Sequence, residues 1–238
     1  MKIMRKEYNH KEVHNNSGYN IKNIILGGQD GLVNVLGVIL AIAAATFDTR
    51  IVIIAGLAAT FAESISMAAV AYTSTKAAKD YYLSQLKKEE QEIKDMPKLE
   101  RKEIYDIYYK KGFRGTFLNK IVSKIISNKK TWVETMMAEE FGLLKSEYEN
   151  PGKSAFIVGF SAIIGSLIPL LPFFFFSVRL GIIIALIVAA LALFITGAIK
   201  AKITVGNWFK SGLEMLVIGM LAAIIGYLIG SLLGKVNF

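Results

Sequence analysis

The stretch Gly27-Gly28-Gln29-Asp30-Gly31-Leu32-Val33-Asn34 lies in the first long apolar segment of the chain, which covers residues 21 to about 47. A charged side chain at the centre of a membrane helix costs about 2.5 to 3.5 kcal/mol on insertion scales, so such residues usually serve a function. Asp30 is therefore the first candidate site residue. Asn34 is a further polar residue of the same segment.

A second apolar segment, over residues 51 to about 72, supplies candidate partners for Asp30 in the stretch Ala62-Glu63-Ser64-Ile65-Ser66-Met67-Ala68-Ala69. Glu63 and Met67 are four residues apart, so they share one face of a helix. A carboxylate and a thioether that face another carboxylate inside a bilayer suggest a path for a metal cation. The predicted transport path consists of Asp30, Asn34, Glu63 and Met67.

Composition supports a membrane protein. The 238 residues are 53% hydrophobic, have a mean hydropathy of +0.44 and include no cysteine. Thiolate metal sites and thiol catalysis are thereby excluded, and a bound metal needs oxygen, nitrogen or thioether ligands. We find no Walker-type phosphate loop, and the polar region with paired glutamates contains no histidine for an E-x-x-H di-iron motif. We therefore expect neither an ATP-driven pump nor an enzyme, and no prosthetic group.

Hydropathy divides the chain into an all-α, five-helix polytopic membrane protein with one large polar insertion. Each apolar run has close to the 20 residues that a membrane helix needs. The runs cover residues 21–47, 51–72, 155–176, 180–199 and 211–233. The predicted domains are a polar leader (1–20), membrane helices 1 and 2 (21–75), a helical domain (76–153) and membrane helices 3 to 5 (154–238).

The basic residues predict the orientation. With the amino terminus inside, 25 of the 28 Lys and Arg lie in inner segments or, for Lys22, at the inner end of the first apolar run, and only Arg50, Arg179 and Lys235 lie outside. The positive-inside rule thus predicts a cytosolic amino terminus and a cytosolic 76–153 domain, in either a cell or an organelle membrane. In that domain 17 basic residues are mixed with 13 acidic ones, which favours a solvated surface beside a bilayer and argues against nucleic-acid binding.

Pro97 and Gly112 divide the polar domain into helices over about 76–95, 98–111 and 116–146, and Asn128 offers a break in the third. The helical pattern runs from the second apolar segment into the first of these helices without a turn signal. We therefore expect one long helix there.

Two E-x-x-E pairs lie on either side of Pro97. Residues three apart on a helix are neighbours, so paired carboxylates repel each other unless a cation lies between them. The predicted metal ligands of the polar domain are Glu89, Glu92, Glu100, Glu103, Met136, Met137 and Glu140. Carboxylates favour Mg²⁺, Ca²⁺ or Mn²⁺, and thioethers shift the preference towards Fe²⁺ and its neighbours. The alternative is an ordinary solvated helix, since lysines surround the glutamates.

The last apolar run carries Gly226, Gly230 and Gly234 at four-residue spacing. Such a stripe of small residues lets membrane helices approach closely. Packing within one subunit and contact between two subunits are both open at this point.

Several motifs, in order along the chain, resemble the vacuolar iron transporter family. They are Asp30-Gly31-Leu32-Val33, Ala55-Gly56-Leu57-Ala58, Ser64-Ile65-Ser66-Met67-Ala68, Trp132-x-x-x-Met136-Met137-x-x-Glu140-x-Gly142-Leu143 and Gly165-x-x-Ile168-Pro169-Leu170-x-Pro172. The resemblance implies a homodimer with five membrane helices per subunit and a translocation path between the subunits. It also implies export of Fe²⁺ or related divalent metals from the cytosol in exchange for protons, with Mn²⁺, Zn²⁺ or Co²⁺ as other candidate cargoes.

The resemblance assigns Asp30 and Met67 to the membrane path and the E-x-x-E pairs, Met136 and Glu140 to the cytosolic site. The chain departs from the family in one place, because Ala59 stands where many members have a glutamate after Gly-Leu-Ala. Glu63 lies four residues later on the same helical face, about 6 Å further along the axis. A metal-gated passive divalent cation channel remains the alternative to an antiporter, and a relay role for Glu214 remains open.

Overall fold

A computed structural model describes residues 17–144, 150–204 and 206–233, and these residues form helices without any β-strand. Five of the helices are long and apolar enough to cross a membrane, as the sequence predicts. The helices are α1 (Ser17–Thr46), α2 (Thr49–Asp95), α3 (Pro97–Lys110), α4 (Gly115–Ile126), α5 (Lys129–Glu139), α6 (Pro151–Leu170), α7 (Pro172–Phe175), α8 (Val178–Ile203) and α9 (Trp208–Leu233). Most of the leader lies outside the described residues.

The chain forms two compact units. The membrane unit comprises Met1–Met67 and Ile157–Phe238, and the polar unit comprises Ala68–Phe156. Helix α2 contributes to both units as one unbroken helix of 47 residues, as its pattern predicts.

Helix α1 is at the centre of the membrane unit, where it packs against α8 and α9. Its buried residues recur at helical spacing, from Leu32 through Leu36 and Ile39 to Ala43. The glycine stripe of α9 serves this packing. A Cβ on Gly226 would lie 2.6 Å from the carbonyl oxygen of Gly37, and one on Gly230 would overlap the backbone of Ala41. These two glycines therefore pack within the subunit, whereas Gly234 lies outside the described residues.

Two turns differ from the sequence prediction. The loop between α1 and α2 is only Phe47 and Asp48, because Oδ1 of Asp48 accepts hydrogen bonds from the N–H groups of Arg50 and Ile51 and so starts α2 early. The third apolar run is also not one helix. Pro169 is accommodated inside α6, but the chain turns at Leu171, and Pro172 begins the short helix α7.

The polar unit has its own hydrophobic core, with contributions from α2, α3, α4 and α5. Its buried residues include Ile93, Ile104, Val122 and Trp132. The predicted third helix is two helices. Ser127 and Asn128 separate α4 from α5, and Oδ1 of Asn128 accepts hydrogen bonds from the N–H groups of Lys130 and Thr131 at the start of α5.

Candidate functional site

Polar side chains of α1 and α2 meet at the surface of the apolar membrane unit. Nδ2 of Asn34 donates a hydrogen bond of 2.6 Å to Oε1 of Glu63. The Glu63 carboxyl also lies close enough to the Asp30 carboxyl for the two to interact, and Asp30 is one turn before Asn34 on α1. The structure therefore brings together three of the four predicted path residues, which we call the membrane cluster (Asp30, Asn34 and Glu63).

The remaining path residue, Met67, follows Glu63 by one helical turn and is half-buried. Ala59, one turn before Glu63, packs against the hydrophobic core of the membrane unit. The carboxylate of α2 that meets Asp30 is therefore Glu63, and the position of the family glutamate is part of an apolar contact. Glu214 is exposed near the start of α9.

The membrane cluster lies at the surface of the single chain. Asn34 is exposed although α1 is apolar, and Phe61 and Ile65 on α2 are 56% and 69% exposed. Polar side chains within membrane segments almost always face a protein interior or a water-filled cavity. Asn34 is therefore expected to face a water-filled cavity or another protein surface.

In the polar unit, the two E-x-x-E pairs meet through Glu89 on α2 and Glu100 on α3. These residues are 1% and 3% exposed, which is unusual for carboxyl groups. Burial, followed by the negative charge of Glu100, raises the pKa of Glu89 to about 8. In its protonated form Glu89 donates a hydrogen bond to Glu100. Burial and the charge of Glu103 also raise the pKa of Glu100, against the effect of that hydrogen bond.

Glu92, Glu103 and Glu140 complete the acidic group. Partial burial, then the charges of Glu103 and Glu92, raises the pKa of Glu140, although this residue keeps an exposed surface. We call the five carboxyl groups the acidic cluster (Glu89, Glu92, Glu100, Glu103 and Glu140). Together, their mutual effects show that helices α2 and α3 and the end of α5 place like charges close to one another.

Parts of this cluster lack hydrogen-bond partners. Oε1 of Glu89 and Oε2 of Glu100 are buried and have none within the described chain. A buried polar atom without a hydrogen bond lowers the stability of the folded protein, so these two oxygens call for an explanation. Yet in the described parts of the chain no three acidic or imidazole groups stand in an arrangement that could hold a metal ion. The carboxyl groups of the acidic cluster therefore lie near one another, but they do not have the geometry of a metal coordination shell.

The predicted thioether ligands are in the core. Met136 and Met137 are 0% and 1% exposed and belong to the hydrophobic core of the polar unit, while Glu140 follows the end of α5. Sequence reasoning did not assign a role to Trp132, whose buried indole Nε1 finds no hydrogen-bond acceptor among the described residues. It also missed Lys88, which pairs with Glu92 over 3.6 Å; their i, i+4 spacing was the available signal.

Comparison with known proteins decides the family. The sequence model of the VIT family matches residues 21–231, which include both clusters. The chain belongs to the VIT family. Members of this family are transporters and not enzymes, so the apolar helices belong to an integral membrane transport protein.

Several curated VIT relatives are similar over nearly the whole chain. "Vacuolar iron transporter 1" of Tulipa gesneriana is 31% identical over 219 residues, which cover 92% of this chain and 89% of that protein. "Vacuolar iron transporter 1" of Eucalyptus grandis is 32% identical over 215 residues, covering 90% and 86%. "Vacuolar iron transporter" of Plasmodium falciparum (isolate 3D7) is 31% identical over 234 residues, covering 94% and 86%.

Proposed function

We propose that this VIT-family protein exports Fe²⁺ from the cytosol in exchange for protons, with Mn²⁺, Zn²⁺ and Co²⁺ as other possible cargoes. The observation that carries the proposal is the membrane cluster, in which Asn34, Glu63 and Asp30 meet in an otherwise apolar unit. Oxygen ligands at this place can bind a divalent cation, and Met67 adds a thioether one turn away, a ligand that suits Fe²⁺ better than Mg²⁺ or Ca²⁺.

Proton coupling follows from the same carboxylates. Asp30 and Glu63 attract a divalent cation when they are ionised, and they lose that attraction when they are protonated. Protons arriving from the outer side therefore weaken binding and release the metal there. The amide of Asn34 stays neutral throughout, and its hydrogen bond holds the Glu63 carboxyl beside Asp30.

The acidic cluster is proposed to capture metal on the cytosolic side. A cation would satisfy the buried oxygens of Glu89 and Glu100, which have no partner within the described chain, and would reduce the repulsion among the five carboxyl groups. Capture requires the proton of Glu89 to leave and the side chains to rearrange, since the described carboxylates do not stand in ligand geometry. Met136 on α5 and Glu140, which follows the end of α5, are the further ligands proposed for this site.

A homodimer is proposed because the membrane cluster lies at the surface of one chain. A second subunit against the exposed faces of α1 and α2 would cover Asn34, Phe61 and Ile65. The transport path would then lie between the two subunits, where both membrane clusters can take part.

Asp30→Asn tests the path. In liposomes with an acidic lumen, the variant is expected to fold like the wild type, because the side chains have the same shape, and to lose at least tenfold in the rate of Fe²⁺ uptake. Asp80→Asn is the matched control, since Asp80 is an exposed carboxylate in a surface ion pair with Lys76. Wild-type uptake by Asp30→Asn would exclude Asp30 from the path.

A further inference from the structure

A further candidate site lies in the membrane unit, where α8 ends and α9 begins, and it includes no residue of the membrane cluster or of the acidic cluster. Here α8 and α9 cross closely because two glycines remove side-chain bulk from the contact. A Cβ on Gly197 would lie 2.5 Å from the carbonyl oxygen of Ser211, and one on Gly212 would lie 2.8 Å from the Phe194 ring. A groove lies beside this crossing, since Phe194 takes part in both.

The groove has an apolar wall and one cation. Its volume is about 400 Å³, within the range of about 300 to 1,000 Å³ that is usual for ligand pockets. It is lined by Phe194, Ile195, Ala198, Ile199, Lys202 and Trp208. Five of these six side chains offer only hydrocarbon or aromatic contact, and Lys202 supplies a positive charge.

Aromatic packing holds this wall in place. The ring of Trp208 lies edge-on to Phe194 at 6.2 Å and to Phe209 at 5.8 Å, and Phe194 and Phe209 are 5.9 Å apart. Edge-to-face pairs of this kind favour a fixed geometry. Trp208 is nevertheless 52% exposed, so an open aromatic surface remains beside Lys202.

The charged side chain that lines the groove is a cation, Lys202. Lys210 lies near the start of α9, and the first acidic residue of α9 is Glu214, one turn after Lys210. Trp residues are enriched where the hydrocarbon core meets the headgroups, and basic pockets between membrane helices bind anionic lipid headgroups. A free phosphate would contact one lysine and gain nothing from the apolar wall.

We propose that this groove binds one anionic phospholipid. An acyl chain lies along Ile195, Ile199 and Trp208, and the headgroup phosphate accepts hydrogen bonds from Nζ of Lys202. The bound lipid ties the ends of α8 and α9 together and therefore raises the thermal stability of the transporter.

The test compares lipids on the full-length protein in detergent. Thermal unfolding is followed while dioleoylphosphatidylglycerol, dioleoylphosphatidylcholine or inorganic phosphate is added to the wild type, to Lys202→Gln and to Lys200→Gln. Residues two positions apart on a helix point in directions about 200° apart. Lys200→Gln therefore removes the same charge as Lys202→Gln at nearly the same depth, but on the opposite side of α8. Lys200→Gln is therefore the matched control.

We expect phosphatidylglycerol to raise the unfolding temperature at the lowest concentration, and Lys202→Gln to require about fivefold more of it. That factor corresponds to about 1 kcal/mol for one basic residue near anionic lipid. Lys200→Gln is expected to stay within twofold of the wild type. Trp208→Leu, which keeps the charge, is expected to weaken the effects of both lipids.

Four results would overturn the proposal. Equal effects of Lys200→Gln and Lys202→Gln would indicate diffuse attraction, and equal effects of the two lipids would exclude headgroup recognition. Stabilisation by inorganic phosphate as strong as that by phosphatidylglycerol would indicate a phosphate site. Wild-type lipid response in Trp208→Leu would exclude the groove as the place of the acyl chain.

Discussion

At the scale of single residues, Glu89 is the side chain whose surroundings the sequence describes least well. An E-x-x-E spacing shows that two carboxylates share a helical face, and it does not show whether that face is buried. Packing of α3 and α5 against α2 leaves Glu89 only 1% exposed, whereas Glu90 beside it is exposed. The type of residue in the acidic cluster was therefore predictable, but the perturbed pKa was not.

The raised pKa of Glu89 makes stability depend on pH. The pKa of Glu89 is about 8 in the folded protein and 4.5 as the ordinary value, so the folded state binds the proton more tightly than the unfolded chain. The stability that this proton contributes is complete below about pH 4.5 and is lost as the pH rises through 8. In metal-free buffer, the unfolding temperature of the protein in detergent is expected to fall between pH 5 and pH 8.5.

Glu89→Gln is the decisive variant, because a glutamine keeps the shape of the side chain and cannot lose a proton. The fall in unfolding temperature should be smaller in this variant, while Glu90→Gln, at an exposed position, should behave like the wild type. If the unfolding temperature falls as steeply with pH in Glu89→Gln as in the wild type, Glu89 is not the source of the pH dependence.

At the scale of elements, the five apolar helices were predicted and are confirmed. The ends of helices were harder to predict, because they depend on single hydrogen bonds. Asp48 starts α2 earlier than expected. The sequence offers a break at Asn128, and the structure places the boundary between α4 and α5 there. Pro169 and Pro172 look alike in the sequence, but only the second marks the start of a new helix.

The cap of α5 is expected to support the acidic cluster. Asn128→Ala removes the acceptor for two backbone N–H groups and should reduce stability by about 1 kcal/mol. Because α5 carries Met136 and leads to Glu140, the variant should also bind Mn²⁺ several-fold more weakly in calorimetric titrations of the full-length protein.

Ser127→Ala provides the control for this cap. Its hydroxyl donates only to the carbonyl of Lys124 within the preceding turn, so both stability and Mn²⁺ affinity should stay close to wild type. If Asn128→Ala is destabilised but keeps its Mn²⁺ affinity, metal binding does not depend on the cap of α5, and the prediction is wrong.

The glycine stripe of α9 gives a prediction about helix packing. The sequence left open whether the stripe joins helices or subunits, and Gly226 and Gly230 turn out to face the α1 backbone. Gly230→Ala should therefore lower the yield of folded protein on size-exclusion chromatography, because its methyl group would overlap Ala41. Gly18→Ala, where a Cβ would meet nothing within 4 Å, should be tolerated. Equal yields would contradict the close α1–α9 contact.

At the scale of the whole molecule, composition predicted a membrane protein, which the five apolar helices and the family support. The chain also forms two compact units, and the candidate site residues of the membrane and of the polar domain fall in different units, apart from any test of their roles. The sequence also places a carboxylate near Asp30, but the contact through Asn34 depends on how α1 and α2 cross. The sequence could not show that the carboxylates of the acidic cluster stand apart from a ligand arrangement, or that Met136 and Met137 lie in the core, because both depend on how the helices pack.

Proton-coupled export is the central claim, and uptake into liposomes tests it most directly. Purified protein is reconstituted with a pH dye in the lumen, Fe²⁺ is added outside, and the lumen is either acidic or equal in pH to the outside. We predict that Fe²⁺ enters faster with the acidic lumen and that the lumen becomes alkaline as Fe²⁺ enters. Fe²⁺ entry at the same rate with and without the gradient, and without a change in luminal pH, would contradict antiport and indicate a passive divalent cation channel.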